Sequence, residues 1–252
     1  MTKEEALYKY TLRLGDDALI VSQRLSEWCG HGPILEEDIA LTNIALDLVG
    51  QATSLLEYAA KVEGKGRSAD DLAYLRYERD YTNLLLCEQP NGDFGATIVR
   101  QFLFSAYQQF MYLALTKSSD EQLAAIAEKS LKEVKYHVKH SAEWVIRLGD
   151  GTEESHQRVQ ASLDDLWRFS QEIFFEDEVN QTLVEAGVIV SLEDLRGDWE
   201  NLVKQVINES TLKMPETKWQ LDGGRKGLHT EHLGYLLAEM QYMQRAYPGM
   251  EW

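Results

Sequence analysis

Glu133 lies within a long amphipathic pattern, three residues before Tyr136 and four before His137. In four-helix proteins that hold a pair of iron ions, two helices each carry Glu-x-x-His. Side chains at i and i+3 share a helix face, so the carboxylate and the imidazole converge on one ion. Here Tyr136 stands where the imidazole belongs, and His137, roughly 100° further round the helix, is expected to point aside. The other acids that could contribute are Glu27 and Asp47. Asp47 is followed at i+3 by Gly50, which offers no ligand, and Ser105 occupies the position where a third helix would supply a carboxylate. Such a site needs roughly four carboxylates and two imidazoles. The sequence therefore predicts no metal in this chain, with Glu27, Asp47 and Glu133 as degenerate positions. The rival is a protein that still loads metal through Glu27, Asp47, Glu133 and His137.

Three further constellations could do chemistry. His229-Thr-Glu-His232 lacks the i, i+4 histidine pair of a zinc helix and reads as a helix-start cluster making caps and partner contacts. His137 and His140 share a face but have no carboxylate suitably placed for both, so packed or paired histidines are expected. Gly223-Gly-Arg-Lys-Gly227 sets Arg225 and Lys226 on a glycine-rich backbone in an acidic chain, as a phosphate contact would; the alternative is a plain turn docking on a partner. No Gly-x-Ser-x-Gly elbow, P-loop or dinucleotide fingerprint is present, which leaves nucleophilic and nucleotide-driven chemistry unsupported.

Helices must position these groups. Apolar residues recur at threes and fours over residues 4–29, stopped by Gly30 and Pro33, and over 36–63, stopped by Gly64. A loop leads to a shorter helical segment through Tyr77 and Leu84 to Glu88, broken by Gln-Pro-Asn-Gly at 89–92. A third long helix covers 94–117. Ser119 and Gln122 suggest a capping box for a fourth, ending at Gly149-Asp-Gly151. A fifth covers 152–175, Ser191 opens a sixth, 212–227 is irregular and polar, and a last helix spans 230–247. With no β-alternation and no repeat, the expected fold is all-α: one domain over 1–252, with a four-helix bundle core at 4–148 and additional C-terminal helices.

Beside its aliphatic seam, each of the four long helices carries a second row poor in Lys and Arg. The rows are Asp16, Ile20, Gln23, Glu27; Ala40, Asn43, Asp47, Gly50, Ser54; Ile98, Gln101, Ser105, Gln108, Tyr112; and Ile126, Ser130, Glu133, His137, His140, Trp144. A solvated face would hold more basic residues. These rows are expected to be buried, against each other or against another protein.

The formal net charge of −17 over 252 residues repels phosphate backbones and anionic lipid, so neither nucleic acid nor a membrane is an expected partner. No signal core is evident, no apolar run is read as approaching the ~20 residues of a membrane span, and a cytoplasmic location is expected. Cys29 and Cys87 form no CxxC and are expected to be reduced and mostly packed.

Several runs are long and unusual: Tyr10-Thr-Leu-Arg-Leu-Gly15, Ser22-Gln-Arg-Leu-Ser-Glu-Trp-Cys-Gly-His31, Asn43-Ile-Ala-Leu-Asp-Leu-Val-Gly-Gln51, Glu88-Gln-Pro-Asn-Gly92, Gly227-Leu-His-Thr-Glu-His-Leu-Gly234 and Leu237-Ala-Glu-Met-Gln241. With these, nearly the whole chain after its first ten residues resembles the C-subunit family of bacterial phenylacetyl-CoA 1,2-epoxidases (phenylacetate-CoA oxygenases). That resemblance implies a ferritin-like fold and a non-catalytic, structural role in phenylacetate catabolism. It implies a tight heteromer with a related A subunit, which holds the di-iron centre and epoxidises the aromatic ring of the CoA thioester. A small B subunit and a reductase complete such systems. No cofactor is implied for this chain; Arg225 and Lys226 would be candidates to touch a CoA phosphate. The alternatives are a di-metal oxygenase in its own right and a free-standing small-molecule-binding helical protein.

Overall fold

The computed structural model describes residues 1–216 and 219–250; Thr217 and Lys218, inside the irregular stretch expected at 212–227, lie outside the described residues. Along the chain run α1 (Lys3–Ser26), α2 (Leu35–Glu63), α3 (Ala69–Tyr74), α4 (Leu85–Glu88), α5 (Phe94–Leu115) and α6 (Glu121–Gly149). They are followed by α7 (Glu153–Leu166), α8 (Glu178–Glu185), α9 (Leu192–Glu209), α10 (Glu231–Met240) and α11 (Tyr242–Ala246). No strand occurs among the described residues, so the all-α expectation holds. The chain gathers into two compact units, Met1–Gln89 with Gly223–Trp252, and Pro90–Asp222.

In the first unit α1 and α2 form the main pair. A capping box starts α1: the Thr2 hydroxyl accepts from the Glu5 amide at 3.1 Å while the Glu5 carboxylate accepts from the Thr2 amide at 2.9 Å. Leu41, Ile44, Leu48, Leu55 and Ala59 of α2 are buried with Leu14, Ala18, Val21 and Leu25 of α1. Gly15 permits the close crossing, since a Cβ there would stand 2.7 Å from Leu56 Cδ2. The C-terminal α10 and α11 belong to this unit, and α10 packs on α4.

In the second unit α5 pairs with α6, and α7 and α9 pack on both. Trp199 of α9 is wholly buried, stacks on Trp167 with ring centroids 5.7 Å apart, and donates its indole N–H to the Leu103 carbonyl of α5 at 3.1 Å.

Four element boundaries depart from the pattern-based expectation. The cap of α6 is Asp120, whose side chain accepts from the Leu123 amide at 2.8 Å, not Ser119 with Gln122. Ser119 instead donates its amide to the Gly187 carbonyl, and Asp caps as well as Ser does. The helix expected over 152–175 ends at Leu166 and continues as two 3-10 turns, 167–169 and 171–174, while α8 has no counterpart among the expected elements. The segment expected to be helical up to Glu88 is broken into α3, a 3-10 turn at 78–80 and α4. The last helix breaks at Gln241.

Candidate functional site: a buried ionic lock and a donor-poor helical seam

The breaks in the first unit have a common cause. Asp16 and Asp17, adjacent on α1 and both buried, act as caps for chain that would otherwise continue a helix. Asp16 Oδ2 accepts from the Thr82 amide at 2.9 Å and its hydroxyl at 3.1 Å, and Asp17 Oδ1 accepts from the Leu84 amide at 2.8 Å. Backbone donors satisfied this way need no i−4 carbonyl, so irregular backbone can be buried here.

Each carboxylate also meets an arginine. The Arg76 guanidinium forks onto both oxygens of Asp16, at 3.1 Å to Oδ2 with the second bond to Oδ1, and stands over the Tyr81 ring with its Cζ 4.2 Å from the centroid. Arg225 forks onto Asp17 at 2.7 and 3.0 Å and donates to the Thr82 carbonyl at 2.8 Å. Burial pushes the Asp17 carboxyl above its ordinary range, against the pull of the Arg225 guanidinium and the Leu84 amide. Burial likewise pushes the Tyr81 hydroxyl up, keeping it a neutral donor to the Ala73 carbonyl.

A third acid, Glu88 at the end of α4, is fully buried. One oxygen accepts from the Thr230 amide and hydroxyl at 2.6 and 2.7 Å. The other accepts from Asn83 at 2.9 Å and lies 2.8 Å from His229 Nδ1. His229 Nε2 is 2.9 Å from the Tyr81 carbonyl, and with an acceptor on each side the ring is built to carry two protons. Gln241 completes the lock, donating to the Ala73 and Arg76 carbonyls at 3.0 and 3.1 Å. The groups named here pair with one another within the same unit, which is the geometry of a clamp holding the C-terminal segment.

This clamp carries a pH dependence. Burial opposes the His229 charge, but the hydrogen bond to Glu88, the Glu88 charge and the Tyr81 carbonyl outweigh it and hold the imidazole above its usual range. A raised folded value means that the stabilisation is fully present below the unfolded value of about 6.5 and is lost as pH rises through the folded one. Thermal melts of His229→Gln are therefore expected to fall furthest below wild type near about pH 6, with the gap narrowing toward about pH 9. A gap independent of pH would remove the charged pair from the account.

The residues singled out for metal fare differently. Glu27 is exposed just beyond α1 and pairs with Arg24 at 2.9 Å; Asp47 and Gly50 are half-buried on α2. In the second unit Ser105 is fully buried, donates to the Gln101 carbonyl at 2.7 Å and lies 3.4 Å from the Ser141 hydroxyl. The expected roles of Tyr136 and His137 are reversed: His137 is fully buried, while Tyr136 is 48% exposed. The buried face of α6 runs through Ser130, Val134, His137 and Ser141, so Glu133 sits at its edge and Tyr136 falls outside it. Among the described residues, no three His, Cys, Asp or Glu side chains gather in a way that could hold a metal ion. With serine, glycine and an outward tyrosine at the ligand positions, the donor set does not fit a di-iron centre.

The second rows of α5 and α6 are largely buried, as expected, and include the Gln101 amide, which is buried with neither end hydrogen-bonded among the described residues. The rows on the other two helices depart from this: on α1 Asp16 and Ile20 are buried but Gln23 is half-buried and Glu27 exposed, and on α2 Asn43 is exposed and Ala40, Asp47, Gly50 and Ser54 are half-buried. Arg225 serves the lock and not the phosphate contact that its glycine-rich setting suggested, because an anion would have to displace Asp17 from its guanidinium. Lys226 beside it is exposed. His229, read as part of a helix-start cluster, is the partner of Glu88. Cys87 is buried and Cys29 exposed, and neither forms a disulfide. The signal for the lock is present in the sequence as two adjacent acids on an otherwise apolar stretch of α1; their partners, some 60 and 208 positions away, are not signalled.

An all-α, ferritin-like chain is the class these features define. The chain belongs to the phenylacetic acid catabolic protein family, whose model matches residues 1–252. It is 52% identical over 246 residues to the C subunit of 1,2-phenylacetyl-CoA epoxidase from Escherichia coli (strain K12), a match covering 98% of this chain and 99% of that protein. Three of the sequence runs that carry the resemblance, at 10–15, 88–92 and 227–234, end in or border the ionic lock, which supplies a physical reason for their unusual composition.

Proposed function

We propose that this chain is the non-catalytic C-type subunit of a phenylacetyl-CoA 1,2-epoxidase, a cytoplasmic protein that pairs with a di-iron A subunit, and through it with a small B subunit, and contributes structure instead of chemistry. The full-length identity to the C subunit of such an epoxidase carries the reading. The serine and glycine at the ligand positions support its non-catalytic half, and so does an ionic lock that holds its own C-terminal segment without leaving a reactive group directed outward. The alternative of a metal-loaded oxygenase through Glu27, Asp47, Glu133 and His137 gains the buried His137 of α6, but it is disfavoured by the exposure of Glu27 and by the absence, among the described residues, of any three such side chains gathered together.

Co-purification with the A subunit, with iron quantified on each separated chain, tests the reading. Iron is expected with A alone, and epoxidation of phenylacetyl-CoA only when A is present. Near-stoichiometric iron held tightly by this chain in isolation would overturn the non-catalytic role.

A further inference from the structure

The helix α2 is long and apolar enough to cross a membrane by length and composition, contrary to the expectation from sequence, yet 44% of its most apolar window is buried inside the protein. The remainder is informative. Leu35, Ile39, Leu46 and Val49 are 71, 51, 62 and 42% exposed, and with Thr42 and Thr53 they fall at i, i+4, i+7, i+11, i+14 and i+18. At 1.5 Å per residue they form one stripe about 27 Å long, opposite the face that packs on α1. From Ile39 to Leu56 the single charged residue is Asp47. The outer face of α6, by contrast, presents Glu128, Lys132, Lys135 and Lys139, as a solvated helix does.

Alternating spacings of four and three are the seam of a coiled coil, in which each side chain enters a hole between four residues of a facing helix. The occupant that fits this stripe is therefore another helix, and its charge can be read from the rim. Glu36 and Glu57 are exposed at the two ends of the stripe, Asp47 flanks its middle, and the chain as a whole carries −17. A second copy centred on the stripe would bring Asp47 against its own counterpart in a parallel pair, and near it across the dyad in an antiparallel one. An anionic bilayer would meet the same acidic rim. A different polypeptide with an apolar helix face and basic flanks meets neither penalty.

We infer that the outer face of α2 is the centre of the surface that docks a helix of the catalytic A subunit. This rests on the proposed subunit role and names the face that performs it. A stripe of about 27 Å by about 10 Å supplies only a part of the roughly 800 Å² that each partner buries in a stable interface, so α2 is its core and neighbouring surface supplies the rest.

The test is co-expression of the full chain with the A subunit, comparing wild type, Leu46→Glu, the helix-favouring pair Leu46→Ala with Val49→Ala, and Leu113→Glu as an exposed apolar control on α5. Both α2 variants are expected to keep wild-type helix content and melting temperature while recovery of A falls at least ten-fold, and Leu113→Glu is expected to recover A as wild type does. Undiminished recovery with both α2 variants overturns the inference. So does a result in which the isolated wild-type chain dimerises, or binds vesicles of anionic lipid, and the α2 variants abolish only that. If wild type itself never recovers A, the subunit role fails and the docking face with it; if wild type recovers A but the α2 variants do too, only the docking face fails.

Discussion

Arg225→Ala is expected to lower the unfolding free energy by about 3–5 kcal/mol, the effect of removing one partner from a buried ion pair and leaving the other uncompensated. The stranded group is Asp17, which is buried on α1 and is already pushed up by its surroundings with the guanidinium in place. Without Arg225 the carboxyl keeps, among the described residues, the Leu84 amide at 2.8 Å and beyond it the weak contact from the Cys87 thiol at 3.9 Å. Its folded value rises further, so protonation relieves the variant: the difference from wild type is expected to be largest at about pH 8 and to shrink as the solution is acidified toward the carboxylate range. Urea titrations at several pH values measure this directly. The double variant Asp17→Asn with Arg225→Gln, which removes both charges and keeps polar groups in place, is expected to recover part of the loss. An Arg225→Ala protein as stable as wild type at every pH would mean that Asp17 is not held as an ion by this contact.

Gly227→Ala is expected to be nearly as damaging through the backbone alone. Gly227 closes the 3-10 turn at Gly224–Lys226 in the left-handed region, with φ of +71°, where a side chain costs about 1–2 kcal/mol. A Cβ at this position would also run into the carbonyl oxygen of Arg79, a backbone atom that cannot swing aside. Overpacking adds about 1–3 kcal/mol. The same turn aims Arg225 at Asp17 and leads directly to His229, so displacement of Gly227 loosens both ends of the lock together. The expected result is a fall of about 2–5 kcal/mol in stability, the sum of those two contributions, with earlier cleavage of the 223–246 segment in limited proteolysis. Gly50→Ala on α2, where the added methyl group meets nothing within 4 Å beyond its chain neighbours and the helix's own backbone, is the matched control and is expected to melt no lower than wild type.

The difference between these two glycines shows which information is local. Helix existence and type are legible throughout the long elements because apolar residues at threes and fours describe a face whatever the face later meets. Thus α1, α2, α5 and α6 lie where the periodicity places them, to within a few residues. The segment from Tyr77 to Glu88 departs from its pattern because its backbone hydrogen bonds are taken by Asp16 and Asp17, residues of α1 far away in sequence. No pattern inside 77–88 records that. The orientation of α6 escapes the spacing for a related reason. Counting from Glu133 places Tyr136 on the ligand face, but the burial of Ser130, Val134, His137 and Ser141 sets the face of this helix, and that requires knowing what it packs against.

What the sequence determined by itself was the all-α class and the family, because residue types and their spacing are properties of the chain alone. The tertiary structure decided which charges are paired. It directed Arg225 inward to Asp17, joined His229 to Glu88, buried His137 in place of Tyr136 and left the stripe on α2 bare. The two ion pairs join residues remote in sequence, and burial raises the cost of an unpaired charge so steeply that the fold, not the local pattern, selects the partners of these buried groups.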